Sequence, residues 1–207
     1  MDLEKVLKLM KIQSKNAPVF KISRIANNEF KIAIYAILSS RTRDEITLKV
    51  CKKLFKKIKN VEDLIKIDEK ELEKLIYPVG FYKNKAKILK KFAIELKNRF
   101  NSKIPSNLND LLTLPGIGLK VAKVILSEAF KKPYIAVDSH VLRIANRLGI
   151  INTKNVKRAN EILEKIVPER LKLEFNKIFV AFGQTVCKPK NPKCKECLIK
   201  NFCKYKK

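Results

Sequence analysis

The sequence predicts an all-α fold, on three observations. Apolar residues recur at helical spacing along most of the chain, and strand-like alternation is scarce. The stretch 29–40, EFKIAIYAILSS, is apolar nearly all round, as the central helix of a core is. With 207 residues and 46% apolar content, the chain can build one large or two small cores and is too apolar to be disordered.

Each element follows from a local signal. Residues 2–13 form a short basic amphipathic pattern, and the polar stretch after them, with Pro18, reads as a loop. The core helix runs into Arg41-Thr42-Arg43-Asp44, where Asp44 is placed to cap a helix over about 45–58. Short helices are predicted at 61–66 and 69–76, ended by Pro78 and Gly80. Residues 83–100 carry a stripe of Ala86, Ile88, Leu89, Phe92, Ala93 and Leu96 with a lysine-rich opposite face. Helices at 107–113 and 119–130 flank Leu-Pro-Gly-Ile-Gly, which reads as a tight hairpin. Pro115 fixes φ on entry, and Gly116 and Gly118 permit positive φ. Ile117 is expected to plug inward while backbone N–H groups face outward, a ready site for a phosphate. Pro133 breaks the pattern and marks the expected crossing between two helical lobes. Asp138 then sits at the N-cap of a helix over 139–148, and further helices are predicted at about 154–166 and 170–183.

The charge narrows the partner. Lys+Arg number 47 against 20 Asp+Glu, a formal net of +27. A chain so charged repels itself unless its partner is a polyanion or a membrane surface. No apolar run approaches the roughly 20 residues of a membrane span, and the N-terminal stretch lacks the apolar centre of a signal peptide. A nucleic acid inside the cell is the expected partner.

Four of the five cysteines form the run Cys187-x6-Cys194-x2-Cys197-x5-Cys203. Their placement in an intracellular chain and the odd total argue against a disulfide framework. Four thiolates so spaced can wrap a soft metal centre, either a zinc ion or a [4Fe–4S] cube. The single close pair favours the bulkier cube over zinc, whose structural sites usually show two such pairs. A site without metal stays open at this point. Cys51, alone in a predicted helix, reads as a core thiol. Residues 187–207 also carry eight lysines against one glutamate, and Lys188, Lys190 and Lys193 fall inside the first cysteine loop, where a fixed loop would present them to a phosphate backbone.

Lys120 and Asp138 are the candidate chemistry. An ammonium in the first turn of a helix faces the positive end of the macrodipole, which favours release of its proton and leaves an amine able to attack an electrophilic carbon. A carboxylate at a helix start is favoured by the same dipole and can stabilise positive charge on a sugar or relay a proton. The plainer readings are a phosphate-contacting lysine and an aspartate that only caps.

Together, ILSSRTRD (37–44), GFYKNKA (80–86), LPGIGLKVAKVIL (114–126), AVDSHVLRIANR (136–147) and the cysteine run resemble the endonuclease III family of base-excision DNA glycosylases, in order and spacing over nearly the whole chain. The resemblance implies two helical lobes with a DNA groove between them: a six-helix domain at 21–133 containing the helix-hairpin-helix at 107–130, and a domain of 1–20 plus 134–207 ending in a cluster loop at 187–203. It implies a monomer acting on damaged duplex DNA. By position, Lys120 matches the attacking lysine and Asp138 the essential aspartate. Cys187, Cys194, Cys197 and Cys203 match the ligands of a structural [4Fe–4S] cluster. Gly116 and Gly118 match the hairpin's phosphate contacts, and the expected DNA contacts extend to Lys123, Ser139, His140, Arg143, Lys188, Lys190 and Lys193. Two positions depart from the family: Arg41 stands where many relatives carry glutamine, and Phe81 where a leucine wedge is common.

The expected activity is therefore bifunctional, removal of oxidised pyrimidines and strand cleavage by β-elimination. The competing readings are a monofunctional mismatch glycosylase (thymine/uracil or adenine) and a non-catalytic helix-hairpin-helix DNA-binding protein. The first usually lacks Lys120, and the second needs neither Lys120 nor Asp138.

Overall fold

The computed structural model describes residues 1–205; Lys206 and Lys207, counted above in the basic tail, lie outside the described residues. Among the described residues every regular element is helical. In chain order the helices are α1 (Leu3–Gln13), α2 (Glu29–Ser39), α3 (Asp44–Lys57), α4 (Val61–Lys66), α5 (Glu69–Ile76), α6 (Tyr82–Phe100), α7 (Leu108–Leu112), α8 (Leu119–Phe130), α9 (Ser139–Arg147), α10 (Val156–Ile166) and α11 (Glu169–Thr185). The chain divides into two compact units, Lys21–Lys131 and Met1–Phe20 with Lys132–Lys207. The first holds seven of the helices, α2 to α8, the shortest being the five-residue α7.

Most helix starts are written in short polar side chains. Asp2, Asn28, Asn60, Asp68, Asn107, Asp138 and Asn155 each accept a hydrogen bond from a first-turn N–H. Two local expectations are corrected. The stretch after α1 is not a loop but a 3-10 helix, Pro18–Arg24, whose first residue has its φ fixed by the proline ring. Asp44 is not a cap: Arg43 holds that position, and Asp44 is the first helical residue of α3. Its Oδ1 accepts from the Tyr35 hydroxyl at 3.1 Å. Burial, with this carboxylate beside it, holds the Tyr35 phenol far above its ordinary value.

In the unit Lys21–Lys131, α2 packs against α8, α3 and α6, and α6 in turn covers α4 and α5. Ile34, Leu38, Leu54, Leu72, Leu89 and Phe92 are all fully enclosed there. The lysine-rich face of α6 has two members with structural tasks. Lys90 Nζ donates to the carbonyls of Ile65 and Ile67 at the end of α4. Lys85 Nζ donates to those of Leu38 and Ser40 at the end of α2. The last carbonyls of a helix lack intrahelical donors and carry its negative dipole end, so an ammonium satisfies both.

In the other unit, Phe175, Ile178, Phe179 and Phe182 of α11 pack with Val6, Leu7 and Met10 of α1 and with Val141, Ile144 and Ala145 of α9. The Phe175 and Phe179 rings stack at 4.0 Å between centroids. The extended segment before α9 is pinned to α10: Ile135 N–H donates to Glu164, and Asn160 Nδ2 donates to Ile135 O at 2.7 Å. That attachment fixes where α9 begins, and so where Asp138 stands.

Candidate functional site

The hairpin closes through Ile117 N–H to Leu114 O at 3.2 Å, and Ile117 is buried as expected. The two glycines do different work. Gly116 has φ +79°, and a Cβ there would lie 2.4 Å from Ile88 Cγ2, so both conformation and space require glycine. Gly118 is extended, at φ −90° and ψ 176°, which any residue adopts. A Cβ on it would meet nothing within 4 Å. What Gly118 provides is an N-cap without a side chain, so the first N–H groups of α8 face an open approach with no side-chain acceptor. Lys120 sits half-buried in that first turn, where no acidic side chain accompanies it.

Asp138 caps α9. Its Oδ1 accepts from His140 N and Val141 N, each at 2.9 Å. Both cap bonds fall on one oxygen, so capping does not occupy Oδ2. Ser139 is exposed beside it. His140 packs against α11, where a Cβ on Gly183 would lie 2.3 Å from its Nδ1. That nitrogen faces Arg143 Nη2 at 3.1 Å. A guanidinium only donates, so Nδ1 accepts and the imidazole proton resides on Nε2.

Arg143 is half-buried and bonded within the protein. Its Nε and Nη2 donate to Cys187 O at 3.1 and 3.0 Å, Nη1 to Ser139 O and Nη2 to Gly183 O. Burial lowers the basicity of the guanidinium. It ties α9 to the start of the cysteine loop. Lys123 is 7% exposed.

The four C-terminal cysteines line one cavity, whose apolar wall is Ile144, Leu148, Phe182, Val186 and Ile199 and whose empty space is about 360 Å³ including its mouth. Among the described residues no three His, Cys, Asp or Glu side chains gather about a single ion-sized point. Arg147 Nη1 donates to Cys187 Sγ at 3.2 Å and to Lys188 O at 2.9 Å. The Arg147 guanidinium also lies 4.3 Å over the Tyr205 ring. Burial pushes the Cys197 and Cys203 thiols up, against a backbone hydrogen bond to each. Lys188, Lys190 and Lys193 are exposed on the loop. Cys51 is enclosed, its thiol raised by burial beyond any ordinary titration.

Arg41 and Phe81 are both exposed and both left-handed, at φ 53° and 58°. The Arg41 guanidinium stands 5.7 Å over the Phe81 ring. Four residues that support these features were not singled out in the sequence: Thr42, Lys85, Arg147 and Gly183. Only the last carried a signal, as a glycine inside a helical pattern, where such a residue marks a close approach.

The HhH-GPD model, "HhH-GPD superfamily base excision DNA repair protein", matches residues 34–169. Endonuclease III of Thermotoga maritima is 42% identical over 176 residues, which is 85% of this chain and 83% of the relative. A trapped endonuclease III–DNA covalent intermediate superposes with TM-score 0.81 at 32% identity, covering 89% of this chain and 92% of that one. A thermostable thymine-DNA glycosylase superposes with TM-score 0.83 at 27% identity, covering 98% and 95%. With its hairpin, its half-buried lysine and a family match over most of its length, the chain belongs to the HhH-GPD superfamily of base excision DNA repair proteins.

Proposed function

We propose that this protein is a bifunctional DNA glycosylase and AP lyase of base excision repair, acting on oxidised pyrimidines in duplex DNA. The observation that carries the reading is Lys120 in the first turn of α8, directly after an N-cap that has no side chain. The chain's likeness to an endonuclease III caught in a covalent intermediate with DNA supports it.

In this reading the Lys120 amine attacks C1′ of the damaged nucleotide as the C1′–N bond breaks, and the base leaves with the bonding electrons. Loss of an amine proton and opening of the sugar ring give a Schiff base between Nζ and C1′. Removal of a C2′ proton then expels the 3′ phosphate by β-elimination, and water releases the lysine. Asp138 Oδ2 stabilises positive charge on the sugar and takes part in proton transfer, while Oδ1 keeps α9 in place. The backbone N–H groups of Gly116 and Gly118 hold a phosphate near the lesion. Ser139, His140 through its Nε2 proton, Lys188, Lys190 and Lys193 add contacts to the backbone, and Arg41 and Phe81 enter the base stack. The two-domain division at 21–133 and at 1–20 plus 134–207 is part of this proposal.

Cys187, Cys194, Cys197 and Cys203 would hold a [4Fe–4S] cluster, which supplies a structural anchor for the lysine loop. The fit rests on four thiols around one apolar-walled cavity, with an arginine donating to Cys187 Sγ.

The likeness to a thymine-DNA glycosylase keeps a second reading, a monofunctional glycosylase that releases the base and leaves the strand intact. Borohydride trapping on a duplex bearing one oxidised pyrimidine separates them. Wild type is expected to form a covalent adduct, and Lys120→Gln is expected to form none while retaining DNA affinity. Base release by wild type without any adduct would establish the second reading instead.

A further inference from the structure

Lys85 is 6% exposed, in the first turn of α6, where no acidic side chain accompanies it. A buried ammonium at the positive end of a helix is costly unless its hydrogen bonds repay it. Its three partners all lie on one short segment: Leu38 O at 2.8 Å, Ser40 O, and Thr42 Oγ1 at 3.2 Å. The Thr42 hydroxyl also accepts from Gly80 N–H at 3.1 Å. A Cβ on Gly80 would lie 2.7 Å from Arg41 O, so the two backbones touch at the one residue that permits it.

The tips of the segments so joined are Arg41 and Phe81. Left-handed φ at a non-glycine residue is strained and persists only where the surroundings over-determine it. Here two such residues face each other, at φ 53° and 58°, with the guanidinium over the ring. The Phe81 ring is 64% exposed, so no apolar core inside the protein requires its position.

We infer that Lys85 is a positioning residue for base extrusion: its ammonium, with Thr42 and Gly80, locks Arg41 and Phe81 into one preformed wedge that enters the base stack beside the lesion. The inference rests on the glycosylase reading above. A wedge is needed to open a paired nucleotide and is dispensable where no base remains to be extruded. Lys85 therefore acts on base release and not on strand cleavage at a preformed abasic site.

The test compares single-turnover rates of wild type, Lys85→Met, Phe81→Ala and the double variant. Each is measured on a duplex with one oxidised pyrimidine and on a duplex with a preformed abasic site. Lys85→Met is expected to slow base release about tenfold or more, the scale of losing a set of charge-assisted hydrogen bonds, and to leave abasic cleavage near wild type. In the Lys85→Met background Phe81→Ala is expected to add little, because the wedge is already unlocked. Thr42→Val, which removes the shared hydroxyl while keeping the side chain's shape, is expected to show the same selectivity and carries the test if Lys85→Met does not fold. Equal losses on both duplexes, or full additivity with Phe81→Ala, would overturn the inference. A wild type inert on both duplexes would overturn the glycosylase reading itself, whereas an active wild type matched by Lys85→Met on the lesion duplex overturns the inference alone.

Discussion

At the scale of single residues, the site is built from groups that hold the backbone and leave an atom to spare. Asp138 caps α9 with Oδ1 alone, so a purely capping role and a chemical one do not compete. Lys85 shows the cost of such economy: burial holds its ammonium down to about 8. Its hydrogen-bond partners, two carbonyls and a hydroxyl, do not titrate in this range. As pH rises through about 8, the neutral amine keeps two N–H groups for three acceptors and the wedge loosens. Stability responds with the opposite sign. Between the folded value of about 8 and the ordinary 10.5, the unfolded chain binds more protons, so this group's contribution to stability rises with pH. Base release by wild type is therefore expected to fall above pH 8 relative to Lys85→Arg, which keeps its charge, with no drop in melting temperature from this group. Superimposable pH profiles would contradict this. Lys85 was not legible beforehand because a lysine on a lysine-rich helical face reads as solvated; only the fold shows which one turns inward.

At the scale of elements, the helices were legible because periodicity and capping agreed, as at Asp138. Asp44 was misread because the capping signal does not distinguish a cap from a first-turn acid, and the partner that decides it, Tyr35, comes from the preceding helix. The 3-10 helix at Pro18 was missed because runs so short leave no apolar period to read. In the hairpin, the sequence signal was two glycines alike; the structure assigns conformation to Gly116 and access to Gly118. The cysteine loop is short of regular structure, with one turn of 3-10 helix at Lys200–Phe202, and leans on Arg143 and Arg147 for its attachment. A centre bound by four thiolates would supply the rest. Cys194→Ser is expected to lose the protein's iron and acid-labile sulfide together and to expose the loop to proteolysis. Stoichiometric zinc in the wild type, with no sulfide, would contradict the cluster.

At the scale of the whole molecule, a net charge of +27 sets the terms of association. If the duplex neutralises 6–10 of its phosphates on this chain, affinity is expected to fall about 10³–10⁵-fold between 50 and 200 mM salt. A flat response would place the contacts elsewhere than on the phosphate backbone. The charge, the two-core length and the helical class were open to reading from composition and periodicity. Which lysines turn inward was not, because that depends on partners distant in the chain, as at Lys85. The central claim is that one lysine of this basic chain becomes covalently bound to the sugar. Its most direct measurement is the mass spectrum of peptides from the borohydride-reduced adduct. The deoxyribose remnant is expected on the peptide bearing Lys120 and on no other; the remnant on a different lysine, or strand cleavage with no remnant at all, would overturn the lysine's role.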